Sequence, residues 1–172
     1  MSVTHDRGTH PETQERGRGT GLATTHTVDL PFEPASVREA RRLLASDAAA
    51  AGVQEPERAD ALVVVSELVG NALRHARPLE NGMVRVMWRL LPDEVEVAVA
   101  DGGAPTAPRA DRPPFAALSG RGLGIVDALS ETWGVEGAGT HHQLVWAVVP
   151  RGTLRRHGDA AAAERDQAGP SD

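Results

Sequence analysis

The run SELVGNALRHA, Ser66–Ala76, places Glu67, Asn71 and His75 at intervals of four inside an otherwise apolar helical pattern. Residues four apart on a helix are neighbours, turned by only about 40° around its axis. The three polar groups therefore make one slowly winding edge. It runs beside an apolar set of Leu62, Val65, Val69, Ala72, Leu73 and Ala76 that keeps the helical period. A solvated helix face is the plain explanation of such an edge, and a wall of a metal–phosphate site is the functional one. Pro56 suits the first turn, where a missing N–H costs little, and Pro78 limits continuation.

Working outward, THTVDLP (25–31) reads as a short first strand ended by Pro31. PASVREARRLLASDAAAAG follows, with Ser36 and Glu39 spaced as a capping box, Val37, Ala40, Leu44 and Ala48 on one face, and Gly52 as the stop. After the central helix the period changes to two. Val84, Val86 and Trp88 alternate with Arg85, Met87 and Arg89; Val95, Val97 and Val99 alternate with Glu94, Glu96 and Ala98. LPDE joins the two runs, which predicts a hairpin with one wet face. A Pro-rich loop spans Ala104 to Ser119, GRGLGIVDALSETWG reads as loop then helix, and HHQLVWAVVP as the last strand. The expected fold is α+β, a two-layer sandwich of a mostly antiparallel sheet with helices on one face. Residues 1–22 and 151–172 are polar and aperiodic, so the domain is expected over 23–150 with disordered tails on either side.

Bulk composition excludes several classes. There is no cysteine, which removes disulfides and thiolate metal sites. A net charge of −6, 3% aromatics and no tyrosine argue against direct nucleic-acid binding. No window approaches the roughly 18 apolar residues of a membrane span, and the first residues lack the apolar run of a secretory signal. A cytoplasmic protein without membrane partners is expected.

Two more stretches carry polar chemistry. In VAVADGGAPTAP, Asp101 stands where the strand runs into Gly102 and Gly103. A strand-end carboxylate can accept a hydrogen bond from an exocyclic amine, and glycine lets a flat ring approach; a plain Asp-Gly turn is the alternative. In LSGRGLGIVDAL, Gly120, Gly122 and Gly124 stand ahead of a helix, where free N–H groups and the dipole attract phosphates. A flexible helix entry is the plain alternative. The G-x-G-x-G spacing after a Pro-rich loop does not fit a dinucleotide fingerprint, and no lysine is present to complete a Walker loop.

Taken in order, the E-x-x-x-N helix, the D-x-G strand end, the long loop and the G-x-G-x-G helix entry resemble the GHKL-type ATPase superfamily. The likeness is nearest to the bacterial anti-sigma-factor serine kinases and covers about Thr25 to Val149. It implies ATP and Mg²⁺ as cofactors. Asn71 would ligate Mg²⁺ through its side-chain oxygen, and Glu67 would accept the proton of an attacking hydroxyl. Asp101 would bind the adenine amine, with Gly103 leaving room for the ring. Backbone N–H groups of the Gly120–Gly124 segment, including Arg121, Gly122 and Leu123, would meet the phosphates, and Thr140 would lie near adenine. His75 matches a recurrent histidine, with packing or orientation rather than catalysis as its role. The chain lacks the lysine that many relatives carry near the last strand; Arg121, or Arg109 and Arg112 in the lid, would have to supply a cation.

The function so implied is a serine/threonine protein kinase that binds a sigma factor and phosphorylates a serine on a STAS-type antagonist. A nucleotide-gated binding module without phosphoryl transfer is the alternative, with Arg38, Arg41 and Arg42 meeting an acidic partner. A histidine-kinase catalytic domain is disfavoured, because the chain has no room for a dimerising helical hairpin. A homodimer through the edge strand THTVDLP follows by analogy with relatives.

Overall fold

A computed structural model of the protein describes residues 24–103, 121–137 and 141–152. The lid with Arg109 and Arg112, and also Gly120 and Thr140, lie outside them, as does most of both tails. The chain runs β1 (Thr24–Pro31), α1 (Ala35–Ala50), α2 (Glu57–His75), β2 (Met83–Leu90), β3 (Glu94–Asp101), α3 (Arg121–Leu129), β4 (Thr132–Glu136) and β5 (Gln143–Pro150). The strands form a five-stranded sheet in the order β1-β2-β3-β5-β4, and all four pairings are antiparallel. The expected two-layer α+β sandwich is what the chain adopts, and THTVDLP does form an edge.

Alternation explains the layering. Val84, Val86, Trp88 and Leu90 of β2, Val95, Val97 and Val99 of β3, and Val145, Ala147 and Val149 of β5 all enter the main core. The helices meet them with Ala40, Leu44 and Ala48 from α1, Ala61, Val64, Val65, Leu68 and Val69 from α2, and Leu123 and Val126 from α3. Each fully buried branched side chain is worth roughly 1.5–3 kcal/mol against exposure. Removing a central one such as Leu44 would loosen both layers.

Three expectations need correction. Ser36 caps nothing: α1 starts after Pro34 with no side-chain cap. Ser36 lies buried in its first turn and donates its hydroxyl to the Pro31 carbonyl at 2.6 Å, while Glu39 binds Arg42. The starting proline sets the register, so the serine falls two positions too late to cap. Second, SETWG is not the end of a helix. α3 stops at Leu129, and β4 pairs with β5 from Thr132↔Val148 to Glu136↔Leu144. Third, the face turned away from the helices is not wholly wet. Ala98, Trp146 and Val148 are buried there with Met87 and Leu144 packed against them. Gly134 makes this feasible, since a Cβ there would lie 2.8 Å from the Trp146 ring.

The start of the segment after β5 is tied down at unexpected points. Arg151 and Gly152, assigned by composition to the C-terminal tail, donate backbone N–H groups to the Asp93 carbonyl at 2.7 Å and to Glu57 Oε1 at 3.0 Å. Among the described residues, no helix is long and apolar enough to cross a membrane.

Candidate functional site

The central helix is long because nothing in Glu57–His75 interrupts it. Its first turn carries Glu57 and Asp60 and its last Arg74 and His75, each sign matched to the helix dipole. Along it, Asn71 is buried, at 6% exposure, while Glu67, one turn earlier, is partly open. At Asn71, at least, the polar edge is not a solvated face. Among the described residues, buried Asn71 Nδ2 has no hydrogen-bond partner. Leaving such a donor unpaired costs about 1–3 kcal/mol, an expense that a ligand-binding site explains.

Across from these residues stands α3. A Cβ on Gly122 would fall 2.5 Å from Glu67 Oε2 and 3.3 Å from Asn71 Oδ1. Gly122 therefore lies directly against both side chains, and its missing side chain is what keeps them clear. The glycines do not all stand ahead of the helix, as their spacing suggested. α3 begins at Arg121, so Gly122 is in its first turn. Gly124 faces open space, with nothing within 4 Å of a Cβ there. Leu123 is buried in the core, so only its backbone is available to a ligand.

The β3 end is anchored to the exit of α2. Arg77 N–H donates to the Gly103 carbonyl at 2.9 Å, and Gly102 N–H donates to the Arg77 carbonyl at 2.8 Å. A Cβ on Gly102 would lie 2.2 Å from the Pro78 carbonyl oxygen, so the two backbones touch. Gly103, at φ +75°, turns the chain into the left-handed region. Its N–H donates to Asp101 Oδ1 at 2.8 Å. Asp101 is only 1% exposed. Burial pushes its carboxyl up to about 6, and the Gly103 N–H opposes that rise.

Glu67, Asn71 and Gly122 are thus brought together, with Asp101 and Gly103 fixed to the segment that leaves α2. His75 is not: it is exposed in the last turn and does not pack in the core. The basic residues of α1 are partly spoken for. Arg41 donates to the Leu62 carbonyl at 3.1 Å and to Ser66 Oγ at 2.8 Å, and Arg42 pairs with Glu39.

Arg74 is the residue the pattern reading missed. Its Nη2 donates to Asn71 Oδ1 at 2.9 Å and lies 3.9 Å from Glu67 Oε2. The i, i+3 spacing from Asn71 was the available signal, hidden by reading only intervals of four. Among the described residues no group of three or more His, Asp or Glu side chains is placed to hold a metal. A Mg²⁺ ion, which takes few protein ligands and keeps water and phosphate oxygens, fits a single amide oxygen here. The guanidinium already at Asn71 Oδ1 shows that a cation suits that position.

Comparison with known proteins agrees with this geometry. The model of the histidine kinase-like ATPase domain matches residues 30–146. The serine-protein kinase RsbW of Listeria innocua serovar 6a is 34% identical over 86 residues, 48% of this chain and 55% of that protein. RsbW of Listeria monocytogenes serovar 1/2a is likewise 34% identical over 86 residues, with the same shares covered. This chain thus spans about half the length of the curated relatives it matches. The crystal structure of the RsbU and RsbW domains of Rv1364c from Mycobacterium tuberculosis superposes with a TM-score of 0.58 at 19% identity. That match covers 76% of this chain and 34% of the other, and supports the fold. With the E-x-x-x-N helix, the strand-end aspartate and the glycine helix in the matched order, the chain belongs to the histidine kinase-like ATPase domain family.

Proposed function

We propose that this chain is an ATP-dependent serine/threonine protein kinase of the anti-sigma type, working in the cytoplasm. It would bind a sigma factor and phosphorylate a serine on a STAS-type antagonist that competes for it. The observation that carries this reading is the approach of Gly122 to Glu67 and Asn71, with Cβ distances of 2.5 and 3.3 Å. A carboxylate, an amide oxygen and a helix N-terminus thus stand within contact of one another, which supports the reading. The names of the RsbW relatives, serine-protein kinases, support the reaction class.

Each residue then has a task. Asn71 would hold Mg²⁺ through Oδ1, and the ion would supply positive charge to the phosphates. The first-turn N–H groups of α3, at Arg121, Gly122 and Leu123, donate to phosphate oxygens, and the dipole adds to their pull. Asp101, ionised, accepts from the adenine amine, and Gly103 keeps the ring's path clear. Glu67 orients the incoming serine hydroxyl and takes its proton as the oxygen attacks the γ-phosphorus and ADP departs. The family pattern would add Gly120, Gly124 and Thr140, of which Gly120 and Thr140 lie outside the described residues.

Labelled ATP, Mg²⁺ and a candidate STAS-type antagonist test this directly. Wild type should transfer label to a serine of the antagonist. Glu67→Ala should keep nucleotide affinity within about threefold and lose transfer by about 10²-fold or more. A wild type that binds ATP but labels no antagonist would favour the nucleotide-gated module. A wild type that binds no adenine nucleotide would remove the reading altogether.

A further inference from the structure

Arg74 joins the two groups to which the proposed kinase reading gives the chemistry. Its guanidinium donates to Asn71 Oδ1 at 2.9 Å and sits 3.9 Å from Glu67 Oε2. Gly70, one turn earlier, leaves room for that reach. A Cβ there would meet Arg74 Nη1 at 3.1 Å, Nη2 at 3.5 Å and Cζ at 3.6 Å. The chain contains no lysine, so every fixed side-chain cation it can bring to a site is an arginine. We propose that Arg74 competes with Mg²⁺ for Asn71 Oδ1: the guanidinium holds that oxygen beside Glu67, and Mg²⁺ must displace it to bind.

The inference rests on the assignment of Asn71 to Mg²⁺ and adds a competitor for that atom. A divalent ion and a guanidinium repel at hydrogen-bond range, so the two compete for the same amide oxygen. Arg74 is 56% exposed, which keeps its hold weak and lets it swing into water. The competition therefore sets a threshold. Mg²⁺ binding would turn the guanidinium away from Asn71 Oδ1 and leave Glu67 to face a hydroxyl.

The test measures nucleotide binding by calorimetry across a Mg²⁺ series, for wild type, Arg74→Ala and Gly70→Ala. Arg74→Ala should lower the half-saturating Mg²⁺ concentration by about three- to tenfold, as expected for losing a partly exposed charge-assisted contact. Affinity for the nucleotide at saturating Mg²⁺ should stay within about twofold. Gly70→Ala, which crowds the guanidinium tip without removing charge, should shift the midpoint the same way by a smaller factor. An unchanged or raised midpoint in Arg74→Ala overturns the proposal. So does a collapse of affinity at saturating Mg²⁺, which would make Arg74 a nucleotide ligand. Loss of all nucleotide binding in the wild type would instead defeat the Asn71 assignment on which the proposal stands. Melting curves of the variants check that each is folded.

Discussion

Asp101 shows most sharply how one residue trades stability for binding. Its carboxyl is buried at the end of β3, with its titration pushed up to about 6 from 3.8. The folded chain therefore holds a proton between these values that the unfolded chain has lost. Stability falls as pH rises through that window and is flat above it. Asp101→Asn keeps an oxygen for the Gly103 N–H and removes the charge. It should raise stability at pH 7.5 by on the order of 2–3 kcal/mol and flatten the slope between pH 4 and 6, read by urea unfolding. The same change should weaken adenine-nucleotide binding. If the ionised form is the proposed acceptor, wild-type affinity should drop about tenfold from pH 7.5 to pH 5. A stability unaffected by the substitution would mean that burial does not penalise this carboxylate.

At the scale of elements, glycines decide how closely α2, α3 and the β3 end can meet. Gly122→Ala should leave melting unchanged or slightly higher, since alanine gains up to about 1 kcal/mol of helix propensity. Its Cβ, 2.5 Å from Glu67 Oε2, should nonetheless cut nucleotide affinity about tenfold or more by moving both site side chains. Gly102→Ala acts differently. Its new Cβ would meet backbone, the Pro78 carbonyl at 2.2 Å, so it should lose about 3 kcal/mol of stability by denaturant unfolding. Neither close approach could be read from spacing alone, because glycine in a sequence marks freedom without naming the neighbour. The alternation of β2 and β3 was legible because it follows from side-chain geometry. The helical period of α2 was legible too, but its buried face was only half placed: Ala61, Val64 and Leu68 join Val65, Val69 and Ala72 in the core, while Leu62, Leu73 and Ala76 are only partly buried. β4 was hidden because it is five residues long with Gly134 at its middle. Its alternation of Trp133 and Val135 merges with the end of α3. Arg74 was hidden for another reason: its reach toward Asn71 uses room that Gly70 leaves.

For the molecule as a whole, one sheet supports the site from behind. β3 sits at the centre of the five strands, so Asp101 is carried by the best-paired strand, while β1 and β4 form the edges. α2 packs on the core with Ala61, Val64, Val65, Leu68 and Val69 and turns Glu67 and Asn71 toward α3. Two independent elements are thereby fixed around one space, and the order of the matched motifs follows from that architecture. The account stands or falls on Asn71 as the oxygen donor of a single Mg²⁺–ATP site. Its most direct test is calorimetric titration of ATP into wild type and Asn71→Ala, each with Mg²⁺ and with chelator. The expected result is one nucleotide per chain in wild type, weakened by chelation, and an affinity at least about tenfold lower and indifferent to Mg²⁺ in Asn71→Ala. An Asn71→Ala chain that binds Mg²⁺–ATP as wild type does would contradict it.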